Sequence, residues 1–289
     1  METTELLTKV RHIEIKARGL SRNIFAGEYH SAFKGRGMAF SEVREYQYGD
    51  DMRDIDWNVT ARYNRPYVKI FEEERELTVM LMIDVSESLG FGSRTVLKRS
   101  MVAEIAATLA FSAIQNNDKI GVIFFTDKIE KFIPPKKGRK HILFIIREIL
   151  GFKPENSGTD LNMALRYMTN AIKKRCTAFL ISDFIAPENY KKALQIANNK
   201  HDVVAVQVYD QLSTELVPVG LMKVRDPETG AERWINSSSG KVREVYHNWW
   251  SSLQTNMINA FRQSGVDSVS VSTESDYVKS LLRLFQQRR

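Results

Sequence analysis

The stretch LTVMLMIDVSES, residues 77–88, carries the clearest signal of the fold. Its first part, LTVMLMID, is a near-continuous apolar run, which predicts a strand that is covered on both faces. The run ends at Asp84, and Ser86 and Ser88 follow at alternate positions. Two interpretations are open for these three oxygen-bearing side chains. They form either a polar turn that caps the next helix or half of a metal site whose other half lies elsewhere.

Four further segments have the character of strands, and stretches with helical periodicity separate them. The four segments are KIGVIFFTD (119–127), CTAFLISD (176–183), DVVAVQVYD (202–210) and DSVSVST (267–273). Continuous apolar strands that alternate with amphipathic helices are typical of a parallel sheet between two helical layers. The sequence therefore predicts an α/β, doubly wound fold around a mostly parallel sheet.

Two regions depart from this alternation. The segment LMKVRDPETGAERWINSSSG, residues 221–240, predicts an inserted β-hairpin that turns at Pro227 to Gly230. Residues 1–76 begin with a predicted helix and continue as an irregular, partly β segment. We therefore expect an N-terminal extension over residues 1–76, packed on a main domain over residues 77–289.

Composition narrows the class of protein. The formal net charge is +7, and its densest basic segment is KIEKFIPPKKGRK (128–140), which we interpret as a solvated loop. No nucleic-acid recognition motif accompanies this charge, so nucleic-acid binding is not expected. The lone cysteine, Cys176, excludes an internal disulfide and suits a reducing compartment. Because neither a secretion signal nor an apolar stretch of membrane-spanning length is found, we expect a cytoplasmic protein without a membrane span.

Polar residues at the ends of two predicted strands point to a ligand site. Parallel strands place their carboxyl ends at one edge of a sheet, where ligands bind in this class of fold. Asp84 and Asp183 end two such strands, and Thr159 lies in the glycine-containing loop ENSGTDL before a helix. With Ser86 and Ser88 they form a set of oxygen ligands that suits a small hard dication, Mg²⁺ first and Mn²⁺ as the alternative. Because the set has only two carboxylates, the ion would keep a position open for an Asp or Glu of another protein.

The pieces DVSES, SGTDL and ISDF, in this order and on these elements, resemble the metal-ion-dependent adhesion site of the von Willebrand factor type A domain. The resemblance implies three loops of metal ligands. The first loop would supply Asp84, Ser86 and Ser88, the second Thr159, and the third Asp183. Phe184 stands where many such domains have glycine, which implies a changed turn after the third loop.

The upstream segment narrows the resemblance further. GRGMAFSEVREYQYGDDMRDIDWNVTARYNRPYVKIFEEERE (35–76), followed by the metal loop and later by RDPETGA (225–231), is similar to the bacterial family catalogued as domain of unknown function 58. This resemblance covers nearly the whole chain. It implies a partnership with a MoxR-type AAA+ ATPase in the assembly or maturation of protein complexes. Many members carry membrane helices ahead of this region, whereas this sequence does not, so a membrane-anchored role is not expected.

The same upstream segment is rich in charged side chains, for which two interpretations are open. The residues are Arg44, Asp50, Asp51, Arg53, Asp54, Asp56 and Arg62. They form either a network that fastens the extension to the sheet domain, with Trp57 as its apolar plug, or a surface on which a partner docks.

Motifs of the common enzyme classes are missing from the sequence. A haloacid-dehalogenase-like phosphatase would need an aspartate where Ser86 stands, and neither a P-loop nor a G-x-S-x-G motif is present. We therefore expect a metal-dependent protein–protein interaction module and no enzyme. The alternatives are a metal-dependent, phosphatase-like hydrolase and a basic nucleic-acid-binding protein.

Overall fold

The apolar runs of the sequence form strands in the structure, a computed structural model that describes residues 3–21, 38–73, 77–87, 98–186, 189–225 and 230–288. The strands of these residues are β1 (Met38–Glu45), β2 (Tyr67–Glu73), β3 (Thr78–Asp84), β4 (Lys119–Phe125), β5 (Ile129–Lys136), β6 (Thr177–Ser182), β7 (Asp202–Tyr209), β8 (Leu221–Arg225), β9 (Glu232–Asn236) and β10 (Asp267–Ser272). Their α-helices are α1 (Thr3–Leu20), α2 (Trp57–Tyr63), α3 (Lys98–Gln115), α4 (Arg139–Gly151), α5 (Leu161–Ala171), α6 (Lys191–Lys200), α7 (Gly240–Gln263) and α8 (Tyr277–Gln287).

The central sheet has the order β10-β7-β6-β3-β4-β5. Neighbouring strands are parallel, except that β5 runs antiparallel to β4 at the edge. Ile83 of β3 lies beside Ile181 of β6, so the next residues, Asp84 and Ser182, lie level at the carboxyl ends of the two strands. The predicted α/β, doubly wound architecture with a mostly parallel sheet is confirmed.

Helices cover both faces of this sheet. On one face, Met80 of β3 lies in a buried cluster with Leu194 of α6 and Phe261 of α7. Side chains alternate along a strand, so the neighbouring Leu81 points to the other face and is also fully buried. There α3 contacts β3 and packs against α1 and α4. Burial on both faces explains why the strand sequences are apolar almost throughout.

The chain divides into two units, one of residues 1–32 and 77–289 and the other of residues 33–76. The sequence instead predicted a single extension over residues 1–76. The predicted packing of residues 33–76 on the sheet unit stays a prediction.

Helix α1 belongs to the sheet unit because its apolar stripe is buried there. Val10 and Ile13 are buried, and α1 contacts both α3 and α4. The Lys16 ammonium also forms a salt bridge of 2.6 Å with Glu104 of α3. Lys16 and Glu104 are far apart in the sequence, so a local sequence pattern does not predict this packing.

Residues 33–76 have their own small architecture around the antiparallel pair β1 and β2. Arg44 on β1 donates two hydrogen bonds to Asp50, at 2.8 and 2.7 Å. Asp56 caps α2 by accepting from the backbone N–H groups of its second and third residues. Trp57 is 69% exposed. These contacts lie within the unit of residues 33–76. The predicted network that fastens this unit to the sheet unit, with Trp57 as its apolar plug, stays a prediction.

The basic segment 128–140 is not the solvated loop that the sequence predicted. Strand β5 pairs with β4 there, and helix α4 follows from Arg139. Ile133 of β5 is buried, while Pro134 is exposed. Proline lacks an N–H donor, and an edge strand tolerates it because one side of its backbone needs no strand partner.

The inserted hairpin is confirmed, since β8 pairs antiparallel with β9 and Leu221 lies opposite Asn236. Residues 227–229 of its predicted turn lie outside the described residues. Among the described helices, none combines the length and the apolar character that crossing a membrane requires.

Candidate metal centre

Asp84 ends β3 at the carboxyl edge of the sheet, and its side chain is fully buried. Its Oδ1 accepts a hydrogen bond from the Ser86 backbone N–H at 3.0 Å. Its Oδ2 accepts from Ser182 Oγ at 2.7 Å and from Thr159 Oγ1 at 3.5 Å. Donors from three separate segments of the chain therefore converge on one carboxylate.

Asp183 follows β6 and is 1% exposed. Its Oδ1 accepts from the Ile185 backbone N–H at 3.2 Å, which holds the side chain in a tight local turn. Its Oδ2 accepts from the Lys98 Nζ at 3.1 Å. Lys98 is 2% exposed and lies at the start of α3. A buried ammonium thus compensates one of the two buried carboxylates.

The two aspartates oppose each other electrostatically. The pKa of Asp84 is raised from 3.8 to about 6, chiefly because burial disfavours the charged form and then because of the negative charge of Asp183. Hydrogen bonds from Ser182 and Ser86 act in the opposite direction, since they stabilise the carboxylate. A further positive charge at this edge would relieve the repulsion.

The loop after β3 and the loop before α5 are fastened to each other and to the end of β4. The Glu87 backbone N–H donates to the Ser157 carbonyl at 3.3 Å. The Asp160 backbone N–H donates to the carbonyl of Thr126, the residue after β4, at 3.0 Å. Thr159, between these contacts, is 6% exposed. These backbone bonds hold the hydroxyl-bearing residues beside Asp84.

The structure brings four of the five predicted ligands to one edge of the sheet: Asp84, Ser86, Thr159 and Asp183. The fifth, Ser88, lies outside the described residues.

Two polar neighbours of this site, Ser182 and Lys98, were not predicted from the sequence. Ser182 had no signal in the sequence, because its place beside Asp84 follows from the register of β3 and β6. Lys98 had none, because a lysine in a helical stretch is usually solvent-exposed.

Phe184 occupies the turn after Asp183 with φ of 57°, in the left-handed region. Its N–H donates to Ser182 Oγ at 3.0 Å. Its ring is buried and meets the Phe261 ring edge-on, with centroids 5.0 Å apart. The changed turn that the resemblance implies stays a prediction. Phenylalanine adopts the left-handed conformation that glycine favours, and packing of its ring offsets the strain.

The donor set fits a small hard cation. Carboxylate and hydroxyl oxygens are the ligands that Mg²⁺ and Mn²⁺ prefer, and the Lys98 ammonium already lies on Asp183 as a cation. Among the described residues, no group of three or more His, Cys, Asp or Glu side chains could hold a metal ion. An ion at this edge would therefore depend on hydroxyl oxygens as well as on the two carboxylates.

A pocket of about 660 Å³ opens beside the same edge. Glu87, the residue after Ser86, lines it together with the loop that leads to Thr159. Arg99 and Lys153 contribute positive charge to its wall, while Glu87 and Asp127 contribute negative charge. The pocket is polar and open to solvent.

Comparison with known proteins identifies the family. The family model described as "Protein of unknown function DUF58" matches residues 42–255. The chain belongs to this family. The uncharacterized protein Rv1480 of Mycobacterium tuberculosis is 28% identical over 291 residues, which cover 100% of this chain and 92% of that protein. The uncharacterized protein YeaD of Bacillus subtilis is 26% identical over 109 residues, which cover 38% of this chain and 25% of that protein.

Solved structures give the fold of this DUF58 chain. An aerotolerance-related membrane protein from Bacteroides fragilis is 14% identical, with a TM-score of 0.51 over 73% of this chain and 98% of that chain. The VWA domain of SpRpn10 is 13% identical, with a TM-score of 0.39 over 73% of this chain and 95% of that chain. The likeness to the Bacteroides fragilis structure, together with a mostly parallel sheet between helical layers, shows an α/β, doubly wound fold for the sheet unit.

Proposed function

We propose that this chain is a protein–protein interaction module that binds its partner through a divalent cation. The proposed ligands are Asp84, Ser86, Ser88, Thr159 and Asp183. The observation that supports this best is the burial of Asp84 beside Asp183 under hydroxyl donors, because two buried like charges favour a bound cation. Mg²⁺ is the first candidate and Mn²⁺ the second, since all the proposed ligands are oxygens.

The bound ion would supply a coordination position for a carboxylate oxygen of the partner. Asp84 would contribute negative charge to the ion, whereas the hydroxyls of Ser86 and Thr159 would contribute neutral oxygen. A ligand set that is poor in charge leaves the ion attractive to an Asp or Glu side chain from outside. The neighbouring pocket, lined by Glu87 and Arg99, offers room for the residues that flank this side chain.

The proposed partner is a MoxR-type AAA+ ATPase, with a role in the assembly or maturation of a protein complex in the cytoplasm. The resemblance to the DUF58 family implies this partner, and the match of the family model to residues 42–255 supports the resemblance. The contacts of the site themselves support only the chemistry of the partner, which is an exposed acidic side chain.

A binding role is proposed in preference to catalysis. General acid–base catalysis most often uses a histidine within hydrogen-bond reach of the substrate. His141 contacts the carbonyl of Ile120, near the start of β4, and His201 lies directly before β7. Both histidines are at the amino edge of the sheet, opposite the site. Phosphomonoester hydrolysis with Mg²⁺ that disappears in Asp84→Asn would favour a hydrolase instead.

The proposed function predicts cation-dependent binding of a purified MoxR-type ATPase from the same organism. Calorimetry should detect binding with Mg²⁺ and none with a chelator. Thr159→Ala should weaken binding at least tenfold, because the substitution removes one hydroxyl ligand. Thr169→Ala is the matched control. Thr169 is on α5, where its hydroxyl donates to the Leu165 carbonyl at 2.7 Å, and binding should be retained.

Two other outcomes would change the proposal in different ways. Equal binding with Mg²⁺, with chelator and in Thr159→Ala would move the interface away from the metal site. If the chain binds Mn²⁺ but not the ATPase, the partner is wrong and the cation site stands.

A further inference from the structure

Lys98 is buried beside the candidate metal centre, which is an unusual place for a lysine. Its side chain is 3% exposed, and its Nζ lies 3.1 Å from Oδ2 of Asp183, itself 1% exposed. Lysine is almost never fully buried without a partner, because removing an ammonium from water is expensive. The ion pair with Asp183 therefore stabilises the ammonium in its buried position.

The net charge of Asp84, Asp183 and Lys98 indicates how a bound cation would be balanced. When both carboxylates are ionised, Asp84 and Asp183 carry two negative charges and Lys98 one positive charge. A divalent cation would then leave one positive charge in excess, and one carboxylate from a partner would cancel it. Without Lys98, the two aspartates would balance the ion by themselves.

We infer that Lys98 is the internal counter-ion of the site, weakening its affinity for divalent cations and making a partner's carboxylate necessary for full charge balance. This inference rests on the proposed function. Lys98 is not a ligand in this account. It competes with the cation for the negative charge of Asp183, and it repels the cation across a short distance within a buried site, where electrostatic interactions are screened little.

Two other roles for Lys98 give different results. If the pair with Asp183 only stabilises the fold, replacing Lys98 lowers stability and leaves cation affinity unchanged. If Lys98 holds Asp183 in the correct orientation for the ion, replacing it weakens cation binding. Only competition for charge predicts tighter binding.

The experiment is a Mn²⁺ titration of the full chain, with free Mn²⁺ measured by electron paramagnetic resonance and Mg²⁺ as competitor. Lys98→Gln keeps a hydrogen-bond donor near Asp183 and removes the charge, and Lys98→Met removes both. Each variant should bind Mn²⁺ at least tenfold more tightly than the parent, which corresponds to about 1.4 kcal/mol.

Lys131→Met is the matched control. It also loses one lysine and an ion pair, in this case with Glu148 at 2.6 Å, on the outer strand β5. Its Mn²⁺ affinity should equal that of the parent within a factor of about two. This difference is much smaller than the tenfold change expected for the Lys98 variants.

The failures of the two proposals can be told apart. If the parent binds Mn²⁺ and the Lys98 variants bind it equally or more weakly, the counter-ion role is refuted and the metal site stands. If neither the parent nor any variant binds Mn²⁺ or Mg²⁺, the proposed function is refuted together with the inference.

Loss of Lys98 leaves two buried carboxylates without their cation, so a variant can unfold in chelator. The inference then predicts that Mn²⁺ restores its helical circular dichroism signal, because the ion takes over the charge balance. A variant that stays unfolded in millimolar Mn²⁺ would overturn the inference.

Discussion

Phe184 shows how one residue keeps the turn beside the site in place at the cost of backbone strain. Its left-handed φ of 57° is unfavourable for a side chain with a Cβ atom, by roughly 1–2 kcal/mol. Its buried ring, which meets Phe261 at 5.0 Å between centroids, offsets that strain. The two effects can be separated by substitution.

We predict that Phe184→Ala destabilises the protein by about 3–4 kcal/mol, because the ring is lost and the strain remains. Phe184→Gly should be less destabilised than Phe184→Ala by about 1 kcal/mol, because glycine adopts positive φ without strain. Urea unfolding of both variants measures the difference. A glycine variant that is less stable than the alanine variant would contradict the strain that we assign to this turn.

At the scale of residues, the residues of the candidate site were easier to predict from the sequence than their neighbours. Asp84, Thr159 and Asp183 could be predicted because strand ends in a parallel sheet share one edge. The pairing of Lys98 with Asp183 joins residues 85 positions apart, and no local pattern contains it. Ser86 was predicted as a ligand, while the donation from Ser182 to Asp84 follows only from the register of β3 and β6.

At the scale of elements, the close approach of strand β5 explains why β4 has a glycine at position 121. Gly121 lies in β4 where the pairing with β5 is irregular between residues 120 and 122. A Cβ atom at Gly121 would lie 2.8 Å from the Ile133 carbonyl oxygen and 2.9 Å from the Pro135 nitrogen. Both are backbone atoms of β5, so the strand itself would have to move.

We therefore predict that Gly121→Ala destabilises the protein by about 2–3 kcal/mol through overpacking. Gly240→Ala is the control, because no atom lies within 4 Å of the added Cβ at the start of α7. Its stability should be unchanged or raised by up to about 1 kcal/mol. Equal stability of the two variants in urea unfolding would show that β5 does not pack against β4 as described.

The sequence missed β5 because its strand signal is hidden by charges and prolines. In KIEKFIPPKK the buried position is Ile133, and the flanking residues are half-buried or exposed. An edge strand needs neither a continuous apolar run nor an N–H donor at every residue. The inner strands were predictable because burial on both faces requires apolar side chains throughout.

His201, at the junction of α6 and β7 on the amino edge of the sheet, should make the stability of the protein depend on pH. His201 is fully buried, and its Nδ1 lies 3.3 Å from the Cys176 sulfur. Its pKa is lowered from 6.5 to about 4, chiefly by burial and then by the charges of Lys200 and Arg175. Between these two pKa values the unfolded chain binds the proton more tightly than the folded chain.

Stability should therefore fall as the pH is lowered from about 6.5 to about 4, by up to about 3 kcal/mol from this residue. His201→Gln should lack this contribution, so the difference in free energy of unfolding between parent and variant should change with pH by that amount. Chemical denaturation at several pH values measures it. A constant difference would mean that His201 titrates normally in the folded protein.

At the scale of the whole molecule, the site exists only because the sheet is folded. Its residues come from three segments of the chain, around Asp84, Thr159 and Asp183, that the parallel strands and the loop before α5 bring together. The unfolded chain has no such arrangement. A cation that binds there should consequently stabilise the folded state by mass action.

Thermal unfolding tests most directly whether a divalent cation binds at this edge. The parent and Asp84→Asn are each melted with Mg²⁺ and with chelator. At about 100 times the dissociation constant, Mg²⁺ should stabilise the parent by about 2.7 kcal/mol and raise its Tm by roughly 5–10 °C. Asp84→Asn removes charge repulsion together with a hydrogen-bond acceptor. It should melt within about 1 kcal/mol of the chelated parent and show no shift with Mg²⁺. A parent that does not respond to Mg²⁺, or a variant that melts far below the chelated parent, would contradict the account.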